Sequence, residues 1–310
     1  VVIKTDIKFA DTFIPSYSLG YRTRSFLKVQ DGCNYTCSFC TIPLARGNSR
    51  SATVNNIVLI AEKIAAENIR EVVITGVNVG DFGIHNGESL FDLILALDKV
   101  EGIDRYRISS IEPNLLTNEI IRFIAESEKF LPHFHIPLQS GSDTILKAMR
   151  RRYQANLFAE RINTIKSILP DAGIGVDVIV GFPGENDSHF KQTCDFLELM
   201  DISYLHVFSY SERDQTDAIN ILSKVRPEII RERSKILHNI SRKKKNKFYE
   251  RNIGTVKDVL IENHEEGLLS GLTENYIRVQ IAGKMDEVNT IIPLMMRYSY
   301  GDEMIGQRID

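Results

Sequence analysis

Gly32-Cys33-Asn34-Tyr35-Thr36-Cys37-Ser38-Phe39-Cys40 places three of the chain's four cysteines within eight residues. The stretch follows Phe26–Gln30, a segment apolar enough for a first strand. In a βα barrel the loop after a strand lies at the mouth, where chemistry is done. Three thiolates at C-x3-C-x2-C spacing can wrap one side of a cuboidal iron–sulfur cluster, whereas a closed cluster takes four cysteine ligands. Cys194 is far away in sequence, on an apolar helix face with Phe190 and Leu197, and reads as a core residue. One iron then lacks a protein ligand and is open to a cofactor or substrate, as open metal sites are. Zinc is the competing reading, but it wants four ligands and no histidine lies near the cysteines in sequence. Clustered rather than dispersed cysteines argue for metal in a reducing compartment and against a disulfide scaffold.

Outward from this loop the chain alternates strand and helix. Strand-like runs fall at Glu71–Thr75, Tyr106–Ser109, His133–Ile136, Gly175–Val180 and Tyr204–Phe208, with amphipathic helical stretches between them. Alternation of this kind gives a parallel sheet with right-handed crossovers. Six such units suit an open barrel or a doubly wound sheet, and the pattern alone does not separate the two. Pro227 is placed to start a long polar helix running to about Arg251. Beyond it, Thr255–Ile261, Leu268–Leu272, Tyr276–Ile281 and Thr290–Pro293 are short strand-like runs that read as a small β-barrel. Residues 1–25 lack clear periodicity and read as a lead-in.

The 310 residues carry a net charge of −3, unevenly spread. Residues 224–251 hold eleven Lys or Arg against three Glu, and residues 252–310 hold five basic against ten acidic residues. A basic band between acidic regions suggests local contact with a polyanion; a solvated helix face is the alternative. No apolar run approaches the ~18 residues a membrane span needs, so no membrane association is expected.

Several strand ends carry polar or glycine-rich turns. Gly76-Val77-Asn78 follows the second strand, and glycine there lets backbone approach a ligand closely. Ser110 and Glu112 follow the third, and a carboxylate at a barrel mouth suits ribose hydroxyls or an ammonium. Gln139, after the fourth, offers both a donor and an acceptor, and Ser142 is placed to cap the next helix. Asp177 and Ile179 lie on the fifth strand, where a lone carboxylate in an apolar run needs a partner.

The cysteine spacing, with the aromatic Phe39 before the last cysteine, resembles the radical S-adenosylmethionine (SAM) signature. The resemblance implies an open (β/α)6 partial TIM barrel, a 4Fe-4S cluster on Cys33, Cys37 and Cys40, and SAM on the open iron. It assigns SAM contacts to Phe39, Gly76, Val77, Asn78, Ser110, Glu112, Gln139, Asp177 and Ile179. Met149-Arg150-Arg151-Arg152-Tyr153 and His135-Ile136-Pro137-Leu138-Gln139-Ser140-Gly141-Ser142 are similar to segments of the methylthiotransferase family. The terminal barrel resembles the TRAM domain, an RNA-binding module. Expected divisions are a 1–21 lead-in, a 22–226 core, a 227–251 basic linking helix and a 252–310 TRAM-like barrel.

Among methylthiotransferases, residues 45–51 and 204–213 look most like the subclass acting on threonylcarbamoyladenosine in tRNA. Subclasses acting on isopentenyladenosine in tRNA or on a ribosomal-protein aspartate are alternatives, and a zinc-dependent RNA-binding protein is the non-enzymatic one. The resemblance implies a cytoplasmic monomer, a tRNA anticodon stem-loop as substrate, and an electron donor such as flavodoxin or ferredoxin. It also implies a further N-terminal domain, absent here, with a second 4Fe-4S cluster, so that this chain is expected to cleave SAM without completing sulfur insertion. RNA contact is expected from Arg242, Lys243, Lys244, Lys245 and Lys247 on the helix and from Arg278 and Arg297 on the barrel.

Overall fold

A computed structural model describes residues 7, 10, 12–18 and 23–309. The 1–21 lead-in therefore falls largely outside the described residues. Its described part includes a two-residue strand, Ser16–Tyr17, antiparallel to Arg24–Lys28, which the sequence reading missed.

Six parallel strands follow one another in chain order. Arg24–Lys28 pairs with Glu71–Thr75, which pairs with Arg105–Ile108. His133–His135 pairs with Gly173–Val180, which pairs with Tyr204–Ser209. Single bridges from Tyr106 to Phe130 and from Ser110 to His135 join the two halves. Among the described residues no pairing returns from Tyr204–Ser209 to Arg24–Lys28, so the barrel is open along that seam. The open-barrel alternative is the one adopted.

Local chemistry sets the helices. Thr53 and Thr117 cap Val54–Ala66 and Asn118–Glu126 through their side-chain oxygens, and Ser89 forms a capping box with Asp92. Ile57, Ala61 and Ile64 form the buried stripe of the first of these helices, at the i, i+4, i+7 spacing that faces a sheet. Glu71–Thr75 is covered on both faces, which is why its middle reads as continuous Val-Val-Ile. Cys194 packs against this main core from a half-buried position, as expected.

The chain after Tyr204–Ser209 makes a 26-residue helix, Pro227–Asn252, and then a closed barrel. That barrel has five strands, not the four expected: Val256–Glu265, Leu268–Thr273, Arg278–Ala282, Ile291–Tyr300 and Glu303–Arg308. The last, Glu-Met-Ile-Gly-Gln-Arg, is hidden in sequence because only Met304 is buried. Its parallel pairing with Arg278–Ala282 closes the ring.

The terminal barrel sits against the N-terminal ends of the parallel strands. Arg105 donates to the carbonyl of Asp258 at 2.9 Å, and Arg107 donates to the carbonyls of Thr273 and Glu274 at 3.3 and 3.2 Å. Tyr276 stacks on His133 with ring centroids 4.2 Å apart. At Gly173 a side chain has no room, because a Cβ would lie 2.2 Å from the Asn275 carbonyl oxygen. One end of the core is thus covered, and the loops at the other end are left for chemistry.

Candidate active site

The cysteine loop leaves the first strand and folds over the C-terminal end of the barrel. Gly32 has φ 70°, and a Cβ there would lie 2.0 Å from the Asn48 carbonyl oxygen, so no other residue fits the turn into the loop. The Cys33 N–H donates to Gly47 at 3.1 Å, and Ser38 is tied by backbone to Met149 and Ala218. Arg152 lies over the Tyr35 ring at 3.9 Å, and Tyr35 receives a hydrogen bond from Asn114 at 2.7 Å. Segments after the third, fourth and sixth strands therefore hold this one loop in place.

All three thiols are reduced and half-buried. Burial raises the Cys33 thiol to about 11, and burial also raises Cys37 against the pull of Arg151. Both thiols are neutral until a metal displaces their protons.

Several buried polar atoms around the loop lack a partner among the described residues: Gln139 Oε1, Asn78 Oδ1 and Asn114 Oδ1. Gln139 adopts φ 65°, an uncommon backbone conformation for a side chain of its size. A cavity of ≈280 Å³ is lined by Phe39, Gln139, Ile179, Phe208, Tyr210 and Arg213, among others. Phe39 is held edge-on to Phe182 at 6.3 Å. The unpaired Gln139 acceptor in this partly apolar cavity matches a molecule with an ammonium, hydroxyls and a purine ring, so the three thiols and the cavity fit a cluster and SAM.

The structure gives the expected contact residues protein partners of their own. Gly76 is required by packing: a Cβ there would lie 2.9 Å from Gln30 Oε1, so the close approach is to a side chain of this protein. Asn78 is tied to Asp81 at 2.8 Å, and Val77 is partly exposed. Ser110 bridges to the fourth strand beside His135. Ser142 stands at the helix start but makes no side-chain cap, and its hydroxyl is unpaired. Asp177 has the partner its burial demanded: His135 Nε2 at 2.7 Å. It lies two residues before Ile179 on the same strand. Glu112 forms an ion pair with Arg151, which in turn donates to Cys37 Sγ at 3.2 Å. Burial raises the Glu112 carboxyl, with Arg151 opposing. Burial also works against the Arg151 charge, and the ion pair with Glu112 opposes that cost. Arg151 had no assigned role in the sequence; the Met149–Tyr153 run was the signal.

The basic residues divide. Arg242, Lys245 and Arg278 line a groove of ≈910 Å³ between the open seam, the long helix and the terminal barrel. Lys244 instead donates to the carbonyls of Glu198 and Met200 at 2.8 and 2.6 Å and pins the helix to the core. Lys243 and Lys247 are exposed outside the groove. Arg297 bonds Gln307 on the neighbouring strand and does not line the groove either.

Residues 27–197 match the Radical SAM superfamily model. Among solved structures, the radical SAM methyltransferase TsrM from Kitasatospora setae aligns with a TM-score of 0.54 at 13% identity, over 79% of this chain and 41% of that one; this likeness is one of fold. A threonylcarbamoyladenosine tRNA methylthiotransferase MtaB from Aquifex aeolicus is 41% identical over 88% of this chain and 65% of its own length. A protein of the same name from Chlamydia pneumoniae is 34% identical over 96% of this chain and 71% of its own length. A tRNA-2-methylthio-N(6)-dimethylallyladenosine synthase from Helicobacter hepaticus is 32% identical over 99% of this chain and 69% of its own length. The chain belongs to the radical SAM superfamily and, within it, to the methylthiotransferase family these relatives define. Membership implies a 4Fe-4S cluster and SAM as cofactors. The chain spans just under two thirds of the length of the Aquifex relative.

Proposed function

We propose that the chain is the radical SAM core of a tRNA methylthiotransferase that modifies C2 of threonylcarbamoyladenosine next to the anticodon. The observation that carries this reading is the 41% identity to a relative of that name, over 88% of the chain. The cysteine loop at the barrel mouth supports it. Cys33, Cys37 and Cys40 hold the cluster. Phe39 and Ile179 flank the purine of SAM, and the unpaired oxygens of Gln139 and Asn78 receive its polar groups. When bound, the reduced cluster supplies the electron that cleaves SAM and so begins hydrogen abstraction from the substrate base. The barrel wall orients that base and keeps water out.

The same reading places the enzyme in the cytoplasm as a monomer, reduced by a small donor such as flavodoxin or ferredoxin. Its substrate is the anticodon stem-loop, whose loop bases are already unstacked and can be splayed into the seam. Among the described residues no helix is long and apolar enough to cross a membrane. The likeness to the dimethylallyladenosine synthase makes that substrate the second reading. Nucleoside mass spectrometry of tRNA from cells lacking the full-length gene separates them. Loss of methylthiolated threonylcarbamoyladenosine is the expected result. Its persistence, with loss of the dimethylallyl product, would select the second.

A further inference from the structure

Three adjacent strands each send one polar side chain to the same point in the barrel. His135 ends the fourth strand, and Asp177 and His206 are register partners on the fifth and sixth. One ligand atom from each lies within 4.8 Å of the other two. His135 Nε2 and Asp177 Oδ1 are 2.7 Å apart and both side chains are largely buried. His206 stands edge-on to the His135 ring at 5.1 Å and to the Tyr204 ring at 5.2 Å.

Strand periodicity locates this cluster. Ile179 and Phe208 line the cavity under the cysteine loop. Asp177 and His206 are two residues earlier on the same strands, so they point the same way, roughly 6–7 Å deeper. His206 also lines the ≈910 Å³ groove at the open seam, together with Arg24, Arg242, Lys245 and Arg278. Arg24 and Lys245 are already paired, with Glu262 and Asp302. Arg242 and Arg278 are exposed and take part in no salt bridge among the described residues. His206 thus stands two residues before the cavity residue Phe208 on its strand and lines a groove in which Arg242 and Arg278 are free of salt bridges among the described residues, with Asp302 and Glu303 also on its wall.

We propose that His206, steadied by the His135–Asp177 pair, is a specificity-determining residue that reads an anionic, hydroxyl-bearing arm on the substrate base. The inference rests on the tRNA reading above and deepens it. A base entering from the seam with its reacting carbon under the cysteine loop carries its substituent past this cluster. A carboxylate and hydroxyl there meet imidazole donors and the field of the basic groove. An apolar dimethylallyl arm would desolvate the His206 imidazole and leave it unpaired, a recurring source of discrimination.

Fluorescence anisotropy with anticodon stem-loops bearing threonylcarbamoyladenosine, dimethylallyladenosine or plain adenosine tests this on the full chain. The threonylcarbamoyl RNA is expected to bind about tenfold tighter than the dimethylallyl RNA, the scale of one charge-assisted hydrogen bond. H206F keeps the ring volume at an exposed position and should shrink that preference to about twofold or less. It should do so by weakening the threonylcarbamoyl RNA alone. D177N should act in the same direction, with thermal melts confirming that both variants fold. A preference that survives H206F overturns the proposal while leaving the tRNA reading intact. A preference abolished in the native chain by a chelator also overturns it, because a cation on the three groups would then be the reader. Failure to bind any of the RNAs removes the tRNA reading and this inference with it.

Discussion

The guanidinium of Arg151 donates a hydrogen bond to Cys37 Sγ at 3.2 Å while its other terminal nitrogen is paired with Glu112. With its side chain only 4% exposed, Arg151 places a fixed positive charge against one cluster ligand. Hydrogen bonds and charge at ligand sulfur favour the reduced cluster. R151Q should lower the cluster's reduction potential by roughly 60 mV, equivalent to about 1.4 kcal/mol for one electron. A redox titration followed by electron paramagnetic resonance measures it. An unchanged potential would show that the contact is lost once the cluster is in place.

Iron and sulfide analysis after anaerobic reconstitution checks the ligand set. C33A, C37A and C40A should each abolish the 4Fe-4S cluster. C194A should retain it, because Cys194 is half-buried in the Asp187–Leu199 helix and packs against the core. Cluster loss in C194A alone would refute the assignment.

Salt dependence separates the basic residues by their positions. Each phosphate contact contributes a slope of about −0.7 to −0.9 to the plot of log affinity against log salt. Replacing Arg242 and Arg278 by Ala should flatten the slope by about 1.5 units and weaken all stem-loops alike, since such contacts position without specifying. K244A should leave the slope unchanged and lower stability instead, because its ammonium is spent on two carbonyls. Equal slopes for all variants would make the band a solvated face.

Glu71 is fully buried and paired with Arg107 at 3.0 Å. Burial works against its charge, but Arg107, then Arg24 and Arg105, outweigh it and hold the carboxyl below its ordinary 4.5. A depressed folded-state pKa stabilises the protein above the unfolded value, and that stability is lost as pH falls below about 4.5. E71Q should cost about 3–5 kcal/mol in urea unfolding, because it strands buried arginines. The variant's stability should also depend less on pH below 4.5. Identical acid profiles for both proteins would show that Glu71 does not couple to folding.

Much of the fold was legible because its signals are local. The Val-Val-Ile of the second strand is continuous because both its faces are buried, one by the outer helices and one in the barrel interior, and Thr53, Ser89 and Thr117 mark helix starts through bonds to nearby residues. The fifth strand of the terminal barrel was not legible. Glu303–Arg308 has one buried residue, and only its pairing partners make it a strand. At Gly76 the sequence reports a need for space but not what fills it, and on the side a Cβ would occupy that is Gln30.

The cysteine spacing by itself determined the cluster loop, since C-x3-C-x2-C needs only a few residues of chain to present three thiols. The strand–helix alternation likewise determined that the strands run parallel, though not whether they form an open barrel or a doubly wound sheet. Only the tertiary structure decided which charges meet. Arg151 reaches a cysteine more than a hundred residues earlier, and Lys244 is withdrawn from the surface by two carbonyls. His206 joins Asp177 because two strands are in register. The physical reason is range. Turns and ligand spacing are fixed by neighbouring dihedrals, whereas side chains from separate strands converge only after the barrel curls and its register is set.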